Sequence, residues 1–533
     1  MNVLPVILWS DALVWLMALA ALVLGLLSHR QPPLAAAWRR VGRSRPGMAA
    51  ATVVAVFVVV GLLDSLHYRP ALDTPAAGAP AAPAYAIETL SVLDALAAPL
   101  RQHGEKTYSA PLATHAFAKE TQEIRAADGS VQQVRDFPRL RFGGAHLLRE
   151  EAPAEATDGD TANANAGVSR RTADPSATTD ASPASSAMAP SAVPATSAMS
   201  EKAAALAAAR QYDISRRVGV AVLSALLVWA GVVVWVVQLL ARRESLAFAE
   251  AGRRLWRGET VFAWRAVLLT LAAIALVVAP MLALAGDYHV FGTDKVGQDV
   301  FYQVLKSVRT ALVIGLVTTL TTLPLAIFFG LAAGYFRGWI DDLIQYLYTT
   351  LNSIPGVLLI AAAVLMMQVL IDTHPQWFAT AAERADLRLL ALCFILGLTS
   401  WTGLARLLRG EAMKLRELEF VQAAQSFGVS DLRIIARHIL PNVMHIVVIA
   451  LVMDFSSLVL AEAVLSYVGI GVDPTMISFG TMINNARLEL AREPAVWWSL
   501  AAAFTFMVAL VLAANLLADA VRDAFDARLV GSS

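Results

Sequence analysis

Cysteine is nearly absent. Only Cys393, inside an apolar run, occurs in 533 residues, so no disulfide can form within the chain and the residue reads as a small core hydrophobe. Charge is scarce too: 16% of residues are Asp, Glu, Lys or Arg, against about 25% in soluble domains. Basic and acidic residues balance at 42 each. That balance singles out no class of partner, and no nucleic acid is expected. Catalytic signatures are missing: there is no HExxH, paired CxxC or GxSxG. The nearest approach to a phosphate-binding loop, Gly292 to Gly297, continues with Gln-Asp where Lys-Ser/Thr is needed. The nine histidines are scattered, four of them (His67, His103, His115 and His146) in one polar stretch, and no metal site is expected.

What is abundant is apolar sequence, 57% of residues with a mean hydropathy of +0.59. A bilayer span needs about 20 apolar residues. Nine such runs lie near 3–27, 48–66, 217–241, 264–286, 310–334, 343–371, 387–408, 443–469 and 496–518. The second is the weakest, because Asp64 follows directly on Met48 to Leu63. The first lacks a basic leading region and is long for a signal peptide, so it is read as a span. Arginines orient the set. The 28–47, 242–265 and 406–441 loops are rich in Arg and Lys and fall on one side, which should be cytoplasmic. The N-terminus is then expected outside and the C-terminus inside. Trp264, Trp339, Trp377, Trp497 and Trp498 stand at span ends, where amphipathic rings favour the headgroup layer.

Four regions follow: two spans in 1–66, an outside insert over 67–215, a third span and cytoplasmic linker over 216–263, and six spans with short loops over 264–533. In the insert, Ile87, Leu90, Val92, Leu93, Leu96 and Leu100 form a stripe consistent with a short helix, and 131–144 can hold strands. Residues 151–200 are rich in Ala, Thr, Ser, Pro and Asp without aromatics. They are expected to be disordered, since they cannot bury enough to offset chain entropy. The insert reads either as a docking module for an outside partner or as a spacer.

The most informative stretch is the polar interruption between the seventh and eighth of these runs, whose centre reads EFVQAAQSFGVSDLRIIARHILPN over 419–442. Glu411 to Phe427 are good helix formers, Gly428 is a natural stop, Ser430 and Asp431 can cap a second helix, and that helix is expected to end at Pro441. Phe420, Ala423, Ala424 and Phe427, at 3/4 spacing, make one small apolar face. Such a face fits either a cleft on another protein or the headgroup layer.

The run resembles the EAA signature of ABC importer permeases: Gln422-Ala423-Ala424, Gly428 and Leu440-Pro441 hold its places, with Gln422 for the usual Glu and His438 for an aliphatic. Three further stretches resemble the dipeptide/oligopeptide-type permeases. They are FGTDKVGQDVF (291–301, Gln298 for Arg), AEAVLSYVGIGVDP (461–474) and NLLADAVRDAFDARL (515–529). The first 260 residues lie outside the resemblance. It implies an all-α polytopic membrane protein: a six-helix importer-permease core preceded by about three extra spans and a partly disordered outside insert. It implies a non-catalytic inner-membrane subunit and alternating access. A second permease subunit, two ATP-binding subunits and a periplasmic solute-binding protein would be its partners, with membrane lipid around it. No cofactor is expected in this chain, because ATP and Mg would be bound by the partner ATPases. Glu419, Phe420, Gln422, Ala423, Ala424, Phe427, Gly428, Leu440 and Pro441 would form the coupling site. The cargo class is peptides, sometimes nickel chelates or other small solutes.

Polar groups inside spans mark candidate path residues, since they face a bundle interior or a wet cavity. Asp454 and Glu462, eight residues apart, can share one helix face. Asn352, Ser353 and Pro355 follow Thr349 and Thr350 in the sixth span, where Pro355 must disturb the helix. Path lining or gating competes here with a structural hydrogen bond for Glu462, a structural role for Asp454 and tight packing for the Pro355 region. A secondary transporter would need paired broken helices in two halves, and only one span is plainly broken. A receptor would need a cytoplasmic signalling domain.

Overall fold

The first element is a strand, β1 (Val3–Val6), ahead of three helices: α1 (Trp9–Ser28), α2 (Pro32–Arg43) and α3 (Arg45–Asp64). The computed structural model describes residues 3–28, 32–71, 85–125, 131–149, 195–378 and 380–525. Strand β2 (His67–Pro70) pairs antiparallel with β1, Val3 opposite Pro70, and β3 (Leu90–Ser91) pairs with the other edge of β2. With β1 beside β2, α1 leaves from and α3 returns to the same face. This corrects the expected first span: residues 3–6 are strand, and the apolar part of α1, Trp9–Val23, is shorter than the other spans. Pro5 cannot donate in a helix, and the pairing with 67–70 satisfies the backbone around it.

The insert holds α4 (Val92–Leu96), α5 (Ala98–Gln102), the hairpin β4 (Glu120–Arg125) and β5 (Val131–Asp136), and α6 (His146–Arg149). The expected single stripe is divided. Leu90 lies in a strand, Leu93 and Leu100 are buried in two separate short helices, and Ile87 and Leu96 are exposed. The break is at Ala97, which ends α4 with the α5 proline, Pro99, next. Residues 151–194 of the expected disordered stretch lie outside the described residues, while 195–200 are helical and open α7 (Ala195–Glu244).

Then come α8 (Phe248–Arg257), α9 (Trp264–Leu284), α10 (Val300–Phe336), α11 (Gly338–Ser353), α12 (Gly356–Thr373), α13 (Ala381–Arg416), α14 (Glu419–Ser426), α15 (Asp431–Ile434), a π turn over Ile435–Ile439, α16 (Leu440–Val468), α17 (Phe479–Glu489) and α18 (Trp498–Phe525). Eight helices among the described residues are long and apolar enough to cross a membrane. The expected sixth span is two helices, α11 and α12, parted at Ile354 and Pro355. The missing N–H and fixed φ of Pro355 account for the break.

Small residues set the central pair. Gly330 and Gly334 of α10 face the backbone of Ala405 and Arg409 on α13, and Gly397 faces Thr321, so a side chain at any of the three would push the helices apart. Asp299 caps α10 by accepting from the N–H groups of Phe301 and Tyr302, and Asp294 accepts from those of Val296 and Gln298. The FGTDKVGQD stretch is thus the built-in cap of the longest core helix.

The added N-terminal helices are tied to this core by buried charge. Arg309 of α10 donates to Asp11 at 2.6 Å and to Ser10 at 2.8 Å, Ser10 donates to Asp386, and His67 bonds Asp11 at 2.7 Å. Lys306 lies 2.6 Å from Asp64 and 3.1 Å from Asp94. On the same side the insert closes over the 289–299 loop. Thr293 accepts from Ser109 N–H and donates to the Thr107 carbonyl, while Glu105 N–H donates to the Gly297 carbonyl. Trp498, expected in the headgroup layer, is instead 2% exposed and donates to the Thr293 carbonyl. An indole N–H that leaves water needs such a partner.

Candidate functional site

At the opposite end from the insert, α13 runs on to Arg416, the chain turns at Glu417 and Leu418, and α14 begins at Glu419. Arg409 grips Asp341 through two bonds of 2.6 and 2.7 Å, and this pairing holds the Asp341 carboxyl below its usual range, against a smaller opposing effect of burial. Arg337, next to the α10–α11 corner, reaches Glu417 at 2.5 Å. The expected unbroken helix from Glu411 to Phe427 is therefore two helices with a corner between them.

Three apolar side chains hold the segment down. Val421, Ile434 and Ile439 are fully buried in one cluster with Leu408, Ala412 and Val443. Above them Tyr335 donates to Asp431 at 2.7 Å and accepts from Gln425 at 3.1 Å. Gly428 has φ +73° with open space around it, so its backbone, not crowding, demands glycine. The N–H of Val429 returns to the Ala424 carbonyl and closes the helix end. Ser430 takes the cap position but its hydroxyl makes no capping bond.

The second helix does not stop at Pro441. It continues through the π turn into α16, with Leu440 N–H donating to the Ile435 carbonyl five residues back. Proline lacks an N–H and clashes with the carbonyl four residues earlier; a π turn relieves both. It also brings Ile434 and Ile439, five apart, onto one buried face that Val443 continues. That spacing of five, then four, was the available sign of these anchors.

What is left outside is the face. Phe420 is 45% and Phe427 86% exposed, Ala423, Glu419, Gln422 and Pro441 are exposed, and Leu440 is half-buried. Ala424 departs from the expected set of four: it is half-buried against the core cluster. Leu432, not anticipated, adds a side chain 76% exposed. Gln422 donates to the Glu417 carbonyl at 3.1 Å, so its amide steadies the corner.

The polar groups of the spans are not gathered at one place. Asn352 accepts from Thr402 at 3.2 Å and Ser353 donates to the Thr350 carbonyl, both exposed beside the Pro355 break. Asp454 is half-buried, and its carboxylate has no partner among the described residues. Glu462, for which path lining and a structural hydrogen bond both stood open, is enclosed. It is 2% exposed and accepts from Ser466 at 2.6 Å and Ser478 at 2.9 Å, which ties α16 to the cap of α17.

Residues 326–531 match the family model described as "Binding-protein-dependent transport system inner membrane component". The chain is 30% identical over 287 residues to the oligopeptide transport system permease protein OppC of Mycobacterium tuberculosis, covering 51% of this chain and 92% of that one. The chain belongs to this permease family. The glutathione transport system permease protein GsiD of Pectobacterium atrosepticum is 33% identical over 45% of this chain and 73% of its own length. The dipeptide transport system permease protein DppC of Bacillus subtilis is 27% identical over 54% and 88%. A solved structure titled as inward facing conformations of the MetNI methionine ABC transporter aligns at 15% identity over 42% of this chain and 97% of that one, with a TM-score of 0.33. In this permease the matched region takes in the α10–α13 pair from residue 326, the 411–441 segment and α16 to α18. The N-terminal helices and the insert precede it.

Proposed function

We propose that this permease is the transmembrane subunit of an ATP-driven importer, forming the path for peptides or similar small solutes. It would couple to cytoplasmic ATPase subunits through residues 411–441. The observation that carries the reading is the exposed apolar face of α14, Phe420, Ala423 and Phe427, standing on the buried anchors Val421, Ile434 and Ile439. Exposed aromatics on a rigid base suit a protein cleft. The names of OppC, DppC and GsiD support peptide-like cargo.

In this reading a second permease subunit completes the path and two ATP-binding subunits, which hold ATP and Mg, seat the α14 knobs. A periplasmic solute-binding protein delivers cargo. The arginine-rich loops support an N-terminus outside and a C-terminus in the cytoplasm. Asn352 and Ser353, beside the Pro355 break, and Asp454 of α16 line the path, and Glu462 holds its outer end in shape.

Gly428→Val tests the coupling role. A branched side chain cannot hold φ +73° without strain, so the knob is misdirected while the spans are untouched. The variant is expected to reach the membrane at normal levels and to lose at least about tenfold in ATP-driven uptake. Normal uptake at normal abundance refutes the role.

A further inference from the structure

Where α2 ends, α3 begins and α9 begins, the chain encloses a cleft of about 400 Å³. Three arginines line it, Arg43, Arg45 and Arg265, with Gly258, Thr260 and Leu269 completing the wall. No carboxylate lines it, and none of the three arginines pairs with one among the described residues; Arg265 donates only to the Trp256 carbonyl at 3.2 Å. The frame is fixed by Ala263 N–H donating to the Gly42 carbonyl at 2.7 Å. Like charges held together in a fixed frame without a counter-charge call for an anion.

The position says which anion. Arg45 opens the span α3 and Trp264 opens the span α9, so the cleft sits at the membrane border. It lies at the α14 end of the molecule, because α3 and α18 run antiparallel side by side, with Gly47 against Ala520. Its wall continues along α9 as an exposed apolar strip of Leu269, Leu276 and Val277. A free phosphate has no use for that strip, whereas an acyl chain does. A zwitterionic headgroup would bring a cation towards three others.

We propose that Arg43, Arg45 and Arg265 form a specific site for the phosphodiester of an anionic phospholipid whose acyl chain lies on α9. Arginines near the surface favour anionic lipid, and the three together should separate anionic from zwitterionic lipid by at least about tenfold.

The full chain, reconstituted in discs of equal phosphatidylglycerol and phosphatidylcholine and released into mild detergent, would be weighed intact by native mass spectrometry. Retained phosphatidylglycerol is expected on the native chain and about tenfold less on R43Q/R45Q/R265Q. The lysine triple, R43K/R45K/R265K, should keep most of it, and a charge-matched control at exposed arginines of the same side, R242Q/R243Q/R253Q, should keep nearly all. Equal loss in the control triple would mean a diffuse basic field and overturn the site. Equal retention of phosphatidylcholine, or displacement by glycerophosphoglycerol as effective as by the intact lipid, would overturn it as well.

Discussion

The two ends of this permease are fastened by opposite means. At the insert end the added helices meet the core through buried ions: Asp11 with Arg309, Asp64 and Asp94 with Lys306, Glu105 and Asp299 about His289. At the other end the 411–441 segment rests on Val421, Ile434 and Ile439, with its polar and aromatic surface turned outward. Buried ion pairs tolerate little displacement, because a charge that loses its partner in a low dielectric is heavily penalised. An apolar footing is less directional. The added helices are therefore part of the core's insert end rather than an appendage to it, while the loop end leaves its exposed face free for a partner.

The comparison breaks first at Arg309. Arg309→Met removes the counter-charge of Asp11 and the donor to Ser10 while filling the space. It should cost about 3–5 kcal/mol, read as a fall in the thermal midpoint of the purified chain. Asp11→Asn in the same chain should restore part of the loss. An unchanged midpoint for the single variant would mean that the ions do not fasten the helices.

The loop end gives the next effect. Ile434→Ala opens a cavity in a fully buried position and should cost about 2–5 kcal/mol. Phe427→Ala, at 86% exposure, should leave stability within about 0.5 kcal/mol yet lower ATP-driven uptake. If Phe427→Ala were destabilising and Ile434→Ala were not, footing and face would be exchanged.

The pH dependence separates the ends further. Burial works against the charged form of His289, but Asp299, bonded at 2.8 Å, and Glu105, at an ion-pair distance of 3.7 Å, outweigh it and raise its pKa to about 9. A group raised above its unfolded value stabilises fully below that value, about 6.5, and the contribution is lost as pH rises through the folded one. Closure of the insert over 289–299 should therefore be firmest below about 6.5 and loosen as pH rises towards about 9, where the contribution is spent, seen as faster amide exchange at Glu105 and Ser109. His289→Gln should flatten that dependence, and the 411–441 segment should show none of it.

Much of this was legible in the sequence. Long apolar runs declare spans because nothing else buries them, and the polar stretch ahead of Pro441 declared itself by interrupting two of them. Gly428 and Pro355 act locally, so their turn and break follow from residue type. What was not legible depends on partners far away in sequence. The β1–β2 pairing joins residues 3–6 to 67–70 across three helices. Trp498 turned inward because the Thr293 carbonyl awaited it, and Glu462 was enclosed by a serine from the next loop. Asp64 was visible as a charge ending a span, but Lys306, 242 residues on, was not visible as its partner.

The smallest effect is also the sharpest, because it sets two serines in the same role against each other. Ser478 caps α17 by accepting from Thr481 N–H at 3.0 Å, the Thr481 hydroxyl accepts in return from Ser478 N–H, and the Ser478 hydroxyl donates to buried Glu462. Ser430 stands before α15 in the same extended backbone but caps nothing with its side chain. Ser478→Ala should therefore cost about 1–2 kcal/mol, since a cap and a donor to a buried carboxylate go together. Ser430→Ala should stay within about 0.5 kcal/mol. Both are measured by the same thermal melt, so the difference needs no correction for detergent or lipid. Equal costs would mean that the polar fastening of the insert end is matched at the loop end, and the contrast between the two would fail at its finest scale.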